Sequence, residues 1–173
     1  QCFLKQAVPS PHGRAKGGLV TMISMALDWT VKNLEVSSPY ICCVLLTFKS
    51  GQSALLINNY NSPSVQNKLE ILHILCKFLE KFSQQDTGTS IPPVVVLVGD
   101  FNIHPCTSSC PILVDPGDPH AGSELHFEHT IQGYALNMLI HNYNLICSSS
   151  HGQALRFTFM GRNSQSVIDF ILF

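Results

Sequence analysis

Five consecutive apolar residues, Val94-Val95-Val96-Leu97-Val98, run directly into Gly99-Asp100-Phe101-Asn102. A strand with water on one face alternates apolar and polar side chains, so a run without alternation predicts a strand covered on both faces. Such a strand requires a layered fold. The switch to glycine, a carboxylate and a carboxamide places polar groups at the strand's carboxyl end, where layered α/β folds gather their sites. Gly99 lets the backbone approach a ligand closely, Asp100 can accept a proton or orient water, and Asn102 can donate to a phosphate oxygen. Taken alone, Asp-x-Asn after a strand is more often a plain turn.

Further extended segments are predicted at 18–24, 40–48, 54–60 and 166–173, all rich in β-branched and apolar residues. The intervening Lys49-Ser50-Gly51-Gln52 reads as a hairpin turn, so the sheet is at least partly antiparallel. From Ser62-Pro63 the period lengthens to 3.6, with Val65, Leu69, Leu72, Leu75, Leu79 and Phe82 on one stripe and Lys68, Lys77 and Lys81 off it. Ser62 can cap that helix, and Pro63 suits its first position. Residues 84–93 predict a loop, and 103–125, rich in Pro, Gly, Ser, Asp and Cys, predict a long functional surface loop. A shorter helix is predicted over 130–142 with Ile131, Ala135, Met138 and Leu139 inward, followed by a strand near Leu145.

The 173 residues suffice for one domain with a sizeable core, and 45% hydrophobic content excludes intrinsic disorder. Charged residues make up only 12%, against roughly 25% in a typical soluble domain. That predicts missing surface or a partner. A net charge of −1, with Lys5, Arg14 and Lys16 dispersed, gives only a weak footprint for a polyanion. The apolar run at 40–48 is far short of the roughly 20 residues of a membrane-crossing helix. Seven cysteines, two of them vicinal (Cys42 and Cys43), and no signal-peptide pattern predict reduced thiols in an intracellular protein, nuclear or cytoplasmic. His104, Cys106, Cys110 and His120 lack the paired spacing of a closed zinc site.

Two more segments carry polar groups in suggestive places. Asn58-Asn59-Tyr60-Asn61 ends the 54–60 segment, where a cap and turn would suffice as an explanation. Downstream, Phe157-Thr158-Phe159 precedes Ser166-Val167-Ile168-Asp169, which sets a carboxylate inside an apolar strand. A buried charge there needs a partner, and a structural ion pair would serve as well as a catalytic role. In order and spacing these segments resemble the endonuclease/exonuclease/phosphatase superfamily, most closely the apurinic-type endonuclease domains of non-LTR retrotransposons. Asn58 with Tyr60, Asp100 with Asn102, Thr158, and Ser166 with Asp169 match the family's motif places, and the Gly-led segment 17–24 precedes them. His104-Pro105 resembles a feature of some fungal retroelement endonucleases. The resemblance spans nearly the whole chain.

The resemblance implies an α+β fold, a four-layer α/β/β/α sandwich of mixed, largely antiparallel sheets, formed by one domain over 1–173 and incomplete at both termini. It implies metal-dependent phosphodiester hydrolysis by a DNA-nicking endonuclease of retrotransposon type, with Mg²⁺ as the ion and Mn²⁺ as its substitute. Asp100 would position the attacking water, and Asn102 would hold that water or a phosphate oxygen. Tyr60 would lie against the scissile phosphate, and Asp169 would buttress a catalytic His farther along. Asn58, Thr158, Ser166 and His104 would contact substrate, and Asp100 and Asn102 would hold the metal. The sequence departs from the family in two places: the first Glu is Glu35, beyond the Gly-led segment, and no His follows Asp169. The alternative is a catalytically inactive derivative serving as a protein- or nucleic-acid-interaction module, self-associating through exposed sheet edges. A lipid or inositol phosphatase of the same superfamily fits the Asn-x-Tyr and Ser-x-Ile-Asp forms less well. DNA is the expected partner, and a membrane is not.

Overall fold

The structure is a computed structural model and describes residues 1–9, 15, 17–26, 28–61, 65–84, 92–103, 131–146, 159–160, 165–166 and 169–172. The elements run β1 (Cys2–Lys5), β2 (Leu19–Met22), β3 (Trp29–Leu34), β4 (Ile41–Phe48), β5 (Ser53–Tyr60), α1 (Val65–Gln84), β6 (Val94–Asp100), α2 (Ile131–Asn142), β7 (Phe159–Met160), β8 (Gln165–Ser166) and β9 (Asp169–Leu172). Five of them form one sheet in the order β3-β4-β5-β6-β9. Only β5 and β6 are parallel, because α1 carries the chain back across the sheet between them. The expected hairpin joins β4 to β5, with Gly51 at its turn in a left-handed conformation, φ 84°.

Two apolar cores flank this sheet. On one face Leu72, Leu75 and Leu79 of α1 and Leu136 and Leu139 of α2 pack with Ile41, Cys43, Leu55, Ile57 and Leu97. Truncating one such leucine to Ala costs about 2–5 kcal/mol. On the other face the antiparallel pair β1–β2 brings Phe3 and the adjoining Ile23 onto Cys42, Val44 and Leu46. The described residues thus make three layers: helices, a five-stranded mixed sheet and a two-stranded sheet. Cys42 and Cys43 fall in different cores and both are buried. Burial pushes the Cys43 thiol up to about 12, with Cys42 adding to the rise and Lys5 opposing it, so it packs as an apolar atom.

Several expectations change. The strand buried on both faces is β4; in β6 Val94 is 58% exposed and Leu97 alone is fully buried. The cause is placement, since β1 and β2 lie over β4 and β5 and leave β6 less covered. In α2 the inward residues are Gly133, Leu136, Leu139 and Ile140, while Ile131 and Met138 stand exposed. Apolar residues ring this helix, so their spacing alone does not select a face. Leu145 is buried, but it closes the helix instead of starting a strand: its N–H donates to Ile140 O (2.9 Å), and Asn144 adopts φ 50°. The extended segment expected at 166–173 divides into β8 and β9. Strands β1 and β3 lacked a predictive pattern. The cap at Ser62-Pro63 and most of the 103–125 loop lie outside the described residues. No helix among the described residues is long and apolar enough to cross a membrane.

Gly99 fixes how closely β6 approaches β5. Its φ is 134°, and a Cβ there would lie 1.9 Å from the carbonyl oxygen of Asn59. Relief would require the backbone to move. Gly99→Ala is expected to destabilise the fold by about 3 kcal/mol or more, since backbone strain of this kind alone contributes about 1–3 kcal/mol. Gly51→Ala has nothing within 4 Å of its added methyl and is expected to cost only about 1–2 kcal/mol. Urea unfolding of the two variants measures the contrast, and equal losses would contradict it.

Candidate active site

The parallel register places Tyr60 level with Asp100 at the carboxyl ends of β5 and β6. Just beyond, Phe101 and Ile103 turn into the core with 0% and 1% exposure, anchoring the chain on either side of Asn102. Asn102 adopts φ 48°, a left-handed conformation that asparagine tolerates better than most residues. From there its N–H donates to Asp100 Oδ1 (2.9 Å), and Nδ2 donates to Asp100 Oδ2 (2.8 Å) and to Asn61 O (2.7 Å). The Asn61 N–H donates to Asp100 O at 2.7 Å. The Asp-x-Asn turn and the Asp100 carboxylate are therefore one structure, in which the turn aims the carboxylate.

Tyr60 faces this carboxylate electrostatically. Burial pushes the Tyr60 phenol above its ordinary value of 10, and the charges of Asp100 and Tyr40 push in the same direction. The phenol stays protonated near neutral pH, so it offers an O–H donor and not a base. Asn58, two residues earlier, donates through Nδ2 to Val20 O and to Thr21 Oγ1, each at 3.2 Å. Those bonds tie the two-stranded sheet to the five-stranded one beside the site, leaving only the Asn58 carbonyl oxygen for other partners. The other side of the strand end carries the carboxamides of Asn59 and Asn61, 1% and 0% exposed, without hydrogen-bond partners among the described residues.

Asp169 opens β9 directly opposite Asp100 in the antiparallel register. Ser166 belongs to the separate β7–β8 pair. Thr158 and His104 lie outside the described residues. Sequence reasoning missed the backbone of Asn61, the strut partner Thr21, and Tyr40, whose place opposite Tyr60 becomes visible only once the hairpin register is counted outward from its turn.

The donor set suits a hard cation. The Asp100 carboxylate and the Asn102 carbonyl oxygen both offer oxygen, which matches Mg²⁺ bound through one or two carboxylates and completed by water and substrate phosphate. No group of three or more His, Cys, Asp or Glu side chains gathers among the described residues.

No protein-family model matches the sequence, and no curated protein matches it. Solved structures do match. ANGEL2, described as a 2′,3′-cyclic phosphatase, superposes with a TM-score of 0.57 at 18% identity, covering 99% of this chain and 61% of that one. The human Nocturnin catalytic domain with bound sulfate gives a TM-score of 0.55 at 11% identity, over 99% and 59%. A humanized D. rerio TDP2 bearing 14 mutations gives 0.51 at 12% identity, over 99% and 59%. The chain spans about three fifths of the length of these structures. At such identities the likeness is one of fold: the chain has the mixed α+β architecture of endonuclease/exonuclease/phosphatase proteins.

Proposed function

We propose that this chain is a metal-dependent phosphodiesterase domain acting on nucleic acid, a DNA-nicking endonuclease of the retrotransposon type. The observation that carries the reading is the Asp100 carboxylate, held through both oxygens by Asn102 and set level with the protonated Tyr60. A carboxylate so fixed can take a proton from an attacking water without first reorganising. The Tyr60 hydroxyl donates to a phosphate or leaving-group oxygen. Asn102 orients Asp100 and offers its carbonyl oxygen to a cation. Mg²⁺, or Mn²⁺ in its place, would be held by Asp100 and Asn102 and would supply charge neutralisation at the phosphate. The neighbours' descriptions, a cyclic phosphatase and a sulfate-bound catalytic domain, are consistent with an anionic, phosphate-like substrate.

Supercoiled plasmid incubated with the chain and Mg²⁺ tests this reading. Asp100→Ala is expected to reduce nicking by at least about 100-fold, the lower range for a general base. Equal nicking by the two proteins would exclude the assignment.

The pH profile checks Tyr60 separately. Because its folded pKa is raised, the neutral donor is fully present below pH 10 and is lost only as pH climbs through the higher folded value. The alkaline decline in rate is expected above pH 10 and should disappear in Tyr60→Phe, whose remaining activity is lower throughout. A decline centred near pH 8 that persists in Tyr60→Phe would assign it to another group.

A second reading, self-association of a non-catalytic derivative, draws on the outward face of β1–β2. There Leu4, Val20 and Met22 are 69%, 53% and 79% exposed, and the register sets Leu4 opposite Val20. A contiguous exposed apolar face of this kind favours a partner surface. Light scattering is expected to show a dimer that Leu4→Lys converts to monomer. A wild-type monomer would remove this reading.

A further inference from the structure

Tyr40 immediately precedes β4, directly across from the last residue of β5. Its carbonyl oxygen accepts the Tyr60 N–H at 3.0 Å, and its own N–H donates to Ser38 Oγ at 3.2 Å, so its backbone is braced from both sides. The Tyr40 and Tyr60 rings stand 6.3 Å apart, tilted by 47°. Tilted aromatic pairs at this separation attract beyond the area they bury. Gly17 backs the pair: a Cβ there would lie 2.8 Å from Tyr40 Cε1 and 3.9 Å from Tyr60 Cδ1. Only a residue without a side chain lets the Tyr40 ring settle against that backbone.

We propose that Tyr40 is a positioning residue acting through Tyr60, its ring lodged against the Gly17 backbone so that it holds the Tyr60 ring beside Asp100. Tyr60 ends its strand, where the ladder no longer confines a long side chain, and a phenol free to swing would present its O–H to the phosphate only part of the time. Tyr40 removes that freedom before substrate arrives. The kinetic consequence rests on the phosphodiesterase reading above, whereas the geometric one does not.

The test pairs ring NMR with a mutant cycle. Tyr40→Phe keeps the ring and is expected to keep both the Tyr60 ring shifts and most of the turnover. Tyr40→Leu is expected to move the Tyr60 ring resonances toward averaged values and to lower kcat by about 10- to 100-fold, the scale of an angstrom-sized misplacement, with little change in KM. In a Tyr60→Phe background the added Tyr40→Leu change should lower kcat no further. Unaltered Tyr60 resonances in Tyr40→Leu, or an equal kcat loss with and without the Tyr60 hydroxyl, would overturn the proposal. If Asp100→Ala nicks as well as wild type, the phosphodiesterase reading fails by itself, and the NMR comparison still decides the role of Tyr40.

Discussion

The contact between the backbone at Gly99 and the carbonyl of Asn59 sets the rest of the site. Parallel pairing of β5 and β6 is tight enough there that any side chain at 99 would enter the volume of the neighbouring carbonyl oxygen. This closeness puts Tyr60 and Asp100 at one level. It also lets Asn61, one residue past the strand, receive Asp100 and Asn102 through its own main-chain groups. The site is thus assembled largely from backbone geometry, and its side chains are aimed by turns and not by packing alone.

The sheet between the helices and the two-stranded layer is apolar in two independent ways. In β4 Ile41 and Cys43 serve the helix side while Cys42, Val44 and Leu46 serve the other. A strand so placed has no side for polar residues, and the polar groups of this region cluster at the sheet's end. Apolar burial and the polar candidate site are therefore separated along the strands. The same residues cannot be asked to do both, except at Asn59 and Asn61, where carboxamides are buried at the border between the two zones.

Much of this was legible in the sequence because it was local. The hairpin announces itself by Lys49-Ser50-Gly51-Gln52, α1 by the leucine stripe through Leu72, Leu75 and Leu79, and the candidate site by a glycine and a carboxylate at the end of an apolar run. What escaped was non-local. The burial of β6 depends on where β1 and β2 come to rest, and those strands are four residues each, too short to show a period. The inward face of α2 depends on its neighbours, because its own apolar residues point all round. Tyr40 carries no motif at all. Its place across from Tyr60 is a fact of register that no window of adjacent residues contains.

Asn58 links the two sheets through Val20 and Thr21, and it sits two residues before Tyr60 on the same face of the same strand. The seam between the two sheets and the candidate site are consequently a single clasp. Any sliding of one sheet over the other would be felt first at Tyr60, so the two sheets cannot loosen at this end without disarranging the candidate site.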